Sequence, residues 1–443
     1  MSNKRVIFIG GGTFFDVRSH FSLAAPAFGG TVRSLFDKSK TFTNLDCVLA
    51  TTKMAGGIHH IIDPKNKFNV GDDLNLRTNA DVQEYVDTLV EDDRTRIVFF
   101  NVAMCDWEMK IGDVESGKGA KRLSTHETLL EDISITPSNK VVRSIRQKRK
   151  DITLVAFKQT HGATEDEQYI AGLNLCKEAS CNLVVANDTK TRLNMIITPE
   201  EARYCVTKDR NKVLTEVCDM AMKRSHLTFT RSTVIEGNPI SWDDDRVPAP
   251  LRAVVDFCIK ENAYKPFRGS TAGHFAVKMD DTTFLTSIRK TDFNQLRENG
   301  LVMIKTDGPD TVLAYGAKPS VGGQSQRIVF NDHSGYDCIL HFHCPIKENP
   351  LNTIPVASQK EFECGSHECG QNTSSNLRQF GNLKCVYLDN HGPNIIFNRN
   401  IDPNEVIEFI QNNFDLDQKT GGFVSIKERL DANSTLDEAM SIL

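Results

Sequence analysis

The densest run of metal-ligand side chains is Asp337-Cys338-Ile339-Leu340-His341-Phe342-His343-Cys344. On a strand, alternation would put His341 and His343 on one face with Cβ atoms ~6–7 Å apart. Two imidazoles so placed can share one metal. A third ligand is offered by His391 in Leu388-Asp389-Asn390-His391-Gly392-Pro393, where an apolar strand runs into a turn. Three neutral imidazoles with an open fourth position describe a catalytic zinc-type site rather than a closed structural one. Packed, hydrogen-bonded histidines are the other reading of a His-x-His strand. Cys344 would face away from the histidines, so it reads as a buried thiol.

Further segments stand around the histidines in a fixed order. They are Gly269-Ser270-Thr271-Ala272-Gly273-His274, Leu285-Thr286-Ser287, Ala317-Lys318-Pro319-Ser320 and Gly365-Ser366-His367-Glu368. With His341, His343 and Asn390-His391-Gly392, this order resembles the class II aldolase/adducin family over about residues 251–443. The resemblance implies that His341, His343 and His391 hold a divalent ion, usually zinc. The ion would stabilise an enediolate during C–C cleavage, epimerisation or dehydration of a sugar phosphate. It also implies that Thr271, Gly273, His274, Thr286 and Ser320 lie in substrate-binding segments. The chain departs from the family at His274, where aldolases carry Asn, and at Gly322, where they carry a glutamate. Phe362–Glu368 looks like the segment that carries the acid/base glutamate in the methylthioribulose-phosphate dehydratase branch. Glu368 is therefore the candidate catalytic proton shuttle. Alternatively, it is a first-turn glutamate of a helix capped by Ser366.

At the other end, Arg5-Val6-Ile7-Phe8-Ile9 runs into Gly10-Gly11-Gly12-Thr13. The spacing matches neither the dinucleotide fingerprint nor a P-loop. A strand followed by a Gly-rich turn is expected, serving either as a structural turn or as a phosphate loop. Asp16-Val17-Arg18, Asn101–Trp107, Lys118–Leu123, Val155–Thr160 and Leu183–Asp188 follow. Together they resemble phosphopantothenoylcysteine synthetase over about residues 4–230. The resemblance implies nucleotide binding by Gly11, Gly12, Thr13, Arg18, Asp106, Lys118, Lys158 and Asn187, with CTP or ATP as the cofactor. Ser22 stands where that family has asparagine, and Ala24-Ala25-Pro26 replaces its Ser-Ser-Gly turn.

The elements that must position these residues follow from pattern. Short apolar runs at Val6–Ile9, Cys47–Ala50, Ile97–Val102, Thr153–Phe157, Leu183–Ala186 and Met195–Ile197 predict strands buried on both faces. Helical spacing at Asn79–Leu89 and Asp166–Ala179 between them predicts a parallel sheet with right-handed crossovers. Three prolines and an acidic run make 237–250 the expected linker. Beyond it a helix is expected at Leu251–Asn262. Strands are expected at Phe275–Met279, Leu301–Lys305, Cys338–Phe342, Val386–Leu388 and Ile395–Phe397, and a short helical tail at Leu436–Leu443. The fold class is α/β: a Rossmann-like parallel-sheet nucleotide-binding domain (1–236), a linker (237–250) and an α/β class II aldolase-like domain (251–443).

Composition constrains function more loosely. The 443 residues are 39% hydrophobic and 25% charged, with a net charge of 53 − 58 = −5. That balance argues against a dedicated nucleic-acid binder. No apolar run reaches the ~20 residues that span a bilayer. Twelve cysteines without a C-x-x-C pair read as reduced thiols of a cytoplasmic protein. The expected function is a divalent-metal-dependent lyase on a phosphorylated or acidic polyol, fused to a nucleotide-binding, ligase-like domain. The alternatives are a CTP- or ATP-dependent acid–amine ligase and a non-catalytic binding or assembly protein. The expected partners are a phosphorylated small molecule, a nucleotide and copies of the chain itself in a dimer or tetramer. No nucleic acid and no membrane are expected.

Overall fold

The computed structural model describes residues 4–42, 44–62, 74–123, 132–348 and 353–421. The expected tail at Leu436–Leu443 lies outside the described residues. Two compact units emerge: 1–199 with 205–225, and 200–204 with 226–443.

The first unit is built from strands β1 (Arg5–Arg18), β2 (Phe21–Ala25), β3 (Asp46–Thr51), β4 (His59–Ile62), β5 (Thr95–Ala103), β6 (Trp107–Ile111), β7 (Ile133–Pro137), β8 (Thr153–Thr160), β9 (Leu183–Asp188), β10 (Asn194–Ile197) and, from Cys205 on, β11 (Arg203–Thr207). Its helices are α1 (Gly30–Ser39), α2 (Asn79–Glu91), α3 (Val141–Lys148), α4 (Glu165–Ala179) and α5 (Arg210–Arg224). The main sheet runs β11-β10-β9-β8-β5-β1-β3-β4. β3, β1, β5, β8 and β9 are parallel, and β4 and β10 pair antiparallel at the flanks. The sheet is thus mixed where an all-parallel one was expected. Short connections explain this, since a tight reversal can only return antiparallel. Helices α2 and α4 begin at capping boxes, Thr78 with Asp81 and Thr164 with Glu167, each satisfying orphan N–H groups.

The expected Gly-rich turn does not form. β1 continues through Gly10-Gly11-Gly12 to Arg18, pairing Gly10–Gly12 with Asn101–Ala103 of β5. The glycines instead allow close packing. A Cβ at Gly10 would strike Val32 of α1, one at Gly11 would strike Thr52, and one at Gly12 would strike the Ala25 carbonyl.

The second unit contains β12 (Arg231–Ile235), α6 (Ala249–Lys260), β13 (Pro266–Phe267), β14 (Ser270–Thr271), β15 (His274–Lys278), β16 (Thr283–Ser287), α7 (Leu296–Asn299), β17 (Leu301–Thr306), β18 (Thr311–Tyr315), α8 (Val321–Asp332), β19 (Cys338–His341), β20 (Val356–Ala357), α9 (His367–Asn376), β21 (Arg378–Phe380), β22 (Leu383–Leu388), β23 (Gly392–Phe397) and α10 (Pro403–Asn413). Its largely antiparallel sheet runs β12-β18-β17-β16-β15-β19-β23-β22-β20. Alternation sorts its residues into two cores. Phe275, Val277, Leu340, Ile395 and Phe397 join Trp242 and α6 on one face, while Ala276, Ile339, Ile396 and Val386 join Val329 and Phe330 of α8 on the other.

The segment expected as a linker is folded. Ile240 and Leu301 exchange backbone hydrogen bonds, and the fully buried Trp242 donates from Nε1 to Asp256 at 3.0 Å. Two of its three prolines serve the start of α6, Pro248 as its N-cap and Pro250 inside the first turn, where a missing N–H costs nothing. Residues 226–236, expected in the first domain, fall in the second unit, where β12 pairs with β18. All twelve cysteines are free and all but Cys364 are buried, the state expected of reduced thiols. Among the described residues no helix is long and apolar enough to cross a membrane.

Candidate metal centre

The three histidines converge in the second unit. His341 ends β19, His343 lies two residues beyond it, and His391 sits in the turn between β22 and β23. All three are buried, at 1%, 7% and 2% exposure. One ligand nitrogen from each lies within 4.8 Å of the others. The ring centroids stand 4.5–5.0 Å apart. The expected strand stops at His341, so chain direction beyond the strand, rather than the pleat, brings His343 in.

Backbone contacts fix the geometry. Asn390 adopts a left-handed φ of 57°, and the His391 N–H donates to the Leu388 carbonyl at 2.9 Å. Thr420 ties two of the histidine segments together. Its N–H donates to the His343 carbonyl at 3.0 Å and its hydroxyl to the His391 carbonyl at 2.9 Å. Nothing in the sequence pattern singles out Thr420.

The donor set suits a divalent ion. His341 Nδ1 lies 2.7 Å from the Pro393 carbonyl oxygen, which can only accept, so Nδ1 carries the proton and Nε2 presents its lone pair. Burial pushes the His341 pKa down to about 4, which keeps the ring neutral as a ligand must be. Two nitrogens each about 2.05 Å from one tetrahedral ion stand about 3.3 Å apart. His341 Nε2 and His391 Nε2 are 3.3 Å apart. Buried imidazoles are what a zinc-type site uses, and these fit one.

The surrounding candidates divide. His274 pairs with His341 across β15 and β19, with ring centroids 4.9 Å apart. It shares a cavity of about 10 Å³ with His391, Gln326, Asn394, Cys364 and Cys369, room for about one water. Thr286 is buried on the same sheet face, its hydroxyl 3.3 Å from Gln326 Oε1. Ser320 meets the neighbouring residue, its N–H donating to the Ser287 carbonyl at 3.0 Å. The Ser287 hydroxyl is buried without a hydrogen-bond partner and was not among the sequence candidates. Gly273 has φ 111°, and a Cβ there would press on the His341 carbonyl, so close strand approach demands glycine. Thr271 accepts from the Phe293 N–H at 3.0 Å, a turn-forming role.

Glu368 does not join the histidines. Its carboxylate accepts from the Thr228 N–H at 3.0 Å and the Thr228 hydroxyl at 2.9 Å, in the first turn of a helix capped by Ser366. The helix-start reading accounts for it. Cys344 is buried as expected, its thiol directed to the Ala263 carbonyl and its pKa pushed up to about 12 by burial.

In the first unit the nucleotide candidates also divide. Gly11, Gly12 and Thr13 lie inside β1, not on a loop. Thr13 is buried, donating to Asn79 Oδ1 at 2.6 Å and accepting from the Cys105 N–H at 2.8 Å. Arg18 is buried, donating to the Val17 and Ile111 carbonyls. These bonds commit Thr13 and Arg18 to holding the fold. Lys158 and Asn187 lie at the adjacent carboxyl ends of β8 and β9, where Gln159 pairs with Asn187. Such strand ends are where open α/β sheets take ligands. Asp106 is 61% exposed and ion-paired with Lys140, and Lys118 is exposed.

No protein-family model and no curated protein matches the sequence. Solved structures that match divide into two groups. One group is similar over the N-terminal half. The DNA/pantothenate metabolism flavoprotein from Streptococcus pneumoniae is 17% identical, with 49% of this chain and 96% of that chain covered and a TM-score of 0.36. The C-terminal domain of the coenzyme A biosynthesis bifunctional protein CoaBC is 13% identical, over 50% and 95%, with a TM-score of 0.35. The other group is class II aldolase-like. L-fuculose-1-phosphate aldolase from Thermus thermophilus is 19% identical, over 34% and 80%, with a TM-score of 0.26.

Proposed function

We propose that the second unit is a divalent-metal-dependent lyase acting by aldol cleavage, dehydration or epimerisation on a phosphorylated or acidic polyol. The convergence of His341, His343 and His391 into one buried ligand set carries this reading. A divalent ion there would polarise a carbonyl or hydroxyl oxygen. The chain's own residues do the rest. His341 is oriented by the Pro393 carbonyl, and Thr420 fixes the backbone of the other two ligands. The Ser287 hydroxyl, buried without a hydrogen-bond partner, is the group left to meet an anionic substituent.

Elemental analysis of untagged protein beside His343→Ala tests this reading. Near-stoichiometric zinc, manganese or iron in the parent and its loss in the variant are expected. No metal in either after adding zinc back overturns it. With metal present, sugar phosphates are the first substrates to screen.

For the first unit the reading is a nucleotide site of the ligase type for CTP or ATP. The position of Lys158 and Asn187 near the carboxyl ends of two adjacent parallel strands supports it. A dimer or tetramer in the cytoplasm completes the proposal. A thermal shift with each nucleotide tests the site, since ligand at about 100 times Kd adds about 2.7 kcal/mol.

A further inference from the structure

Four imidazoles, not three, gather at the centre. His274 is buried beside His341 on the α8-facing side of the sheet and lines the cavity that His391 lines. A fourth histidine could be a fourth ligand or a hydrogen-bonding group, and its partner decides which. Gln326, in the second turn of α8 and 1% exposed, directs its amide nitrogen at His274 Nδ1. Its Oε1 lies 3.3 Å from the Thr286 hydroxyl, whose one proton is shared between it and the Phe275 carbonyl at 3.2 Å. An amide N–H needs an acceptor, so Nδ1 offers its lone pair and the single proton of the neutral ring sits on Nε2. Neither nitrogen then has a lone pair left for a metal.

We propose that Gln326, backed by Thr286, is a positioning residue that locks His274 in its Nε2–H tautomer, so that His274 donates a hydrogen bond to a substrate oxygen adjacent to the oxygen taken by the metal. This rests on the metal-site reading above. It narrows the substrate class to compounds with two neighbouring oxygens, such as a hydroxy-carbonyl compound or a vicinal diol. A buried N–H with no acceptor is costly, so the site disfavours analogues lacking the second oxygen.

Ring-nitrogen NMR of histidine-labelled full chain tests the lock, before and after zinc addition, with His274→Phe identifying the signals. The parent should show Nδ1 unprotonated and Nε2 protonated. Gln326→Glu, whose carboxylate can only accept, should exchange the two. Gln326→Met, of similar size but without the amide, should leave a mixture of both tautomers. Acetohydroxamate, with two adjacent oxygens, is the binding probe on zinc-loaded protein. Its affinity should fall about tenfold in Gln326→Glu and in His274→Phe, as loss of one charge-assisted bond implies. Zinc stoichiometry should not change. A protonated Nδ1 in the parent overturns the proposal. Loss of zinc in His274→Phe does so too, since His274 would then be a ligand. If the parent takes up no zinc, the metal reading fails, while the nitrogen signals still decide the tautomer lock.

Discussion

Asp188 shows how much one buried side chain can organise. Burial raises its pKa. Backbone N–H groups of Thr191, Ala163 and Gly162 and the Thr160 hydroxyl outweigh that and hold it well below the usual carboxylate range. The same carboxylate accepts from Lys190, so it fixes both loops beyond β8 and β9, next to Lys158 and Asn187. A depressed folded pKa gives stability that is fully present above the unfolded value near pH 4 and lost as pH falls toward the folded value. Urea midpoints between pH 7 and pH 3 should drop in the parent below about pH 4. Asp188→Asn should start lower at pH 7 and drop less on acidification. Glu368 gives the contrasting case, with its partners on Thr228 and none among the histidines. On the proposed metal reading, Glu368→Gln should take up zinc as the parent does while weakening the start of α9 by about 0.5–1 kcal/mol, read as a denaturant midpoint. Zinc loss in that variant would return Glu368 to the site.

At the scale of elements, strand registers place the centre. His274, His341 and Asn394 are successive cross-strand partners on β15, β19 and β23, all on the face beneath α8 and α9. The turn at Gly392 sets the third histidine. Its φ is 145°, and a Cβ there would collide with the Phe342 carbonyl, one residue from His343. Gly392→Ala should therefore destabilise by about 3 kcal/mol through backbone strain and displacement of the carbonyl. Zinc retention should fall with it even though no ligand is changed. Full zinc content with an unchanged unfolding midpoint would show that the turn does not set His391. The Gly10–Gly12 run works by the same close-approach logic inside β1, which is why its composition suggested a loop while its packing made a strand.

For the molecule as a whole, the centre belongs to one compact unit, whose members include the Glu200–Tyr204 segment as well as 226–443. Glu200 joins it by accepting from the Cys364 N–H at 2.8 Å. A ligand that binds only the folded second unit stabilises that unit alone. Calorimetry with and without zinc should therefore raise one unfolding transition by several degrees and leave the other in place. Equal shifts of all transitions would mean that the chain unfolds as a single cooperative body.

The sequence alone determined the apolar runs that became β1, β3, β5, β8, β9 and β10, because a strand buried on both faces must be continuously apolar. It also singled out the three histidines that the fold brings together, and Ser366 as the cap of α9, whose hydrogen bond is local. Only the tertiary structure decided what depends on partners distant along the chain. It turned the glycine run into a strand under α1, folded 237–250 against Leu301 and Asp256, and committed Thr13 and Arg18 to structural bonds. It took Glu368 away from the histidines and brought Gln326 to His274 across 52 residues. Periodicity reports which face of an element is buried. It does not report which buried polar group meets which, since that is fixed by register and helix docking.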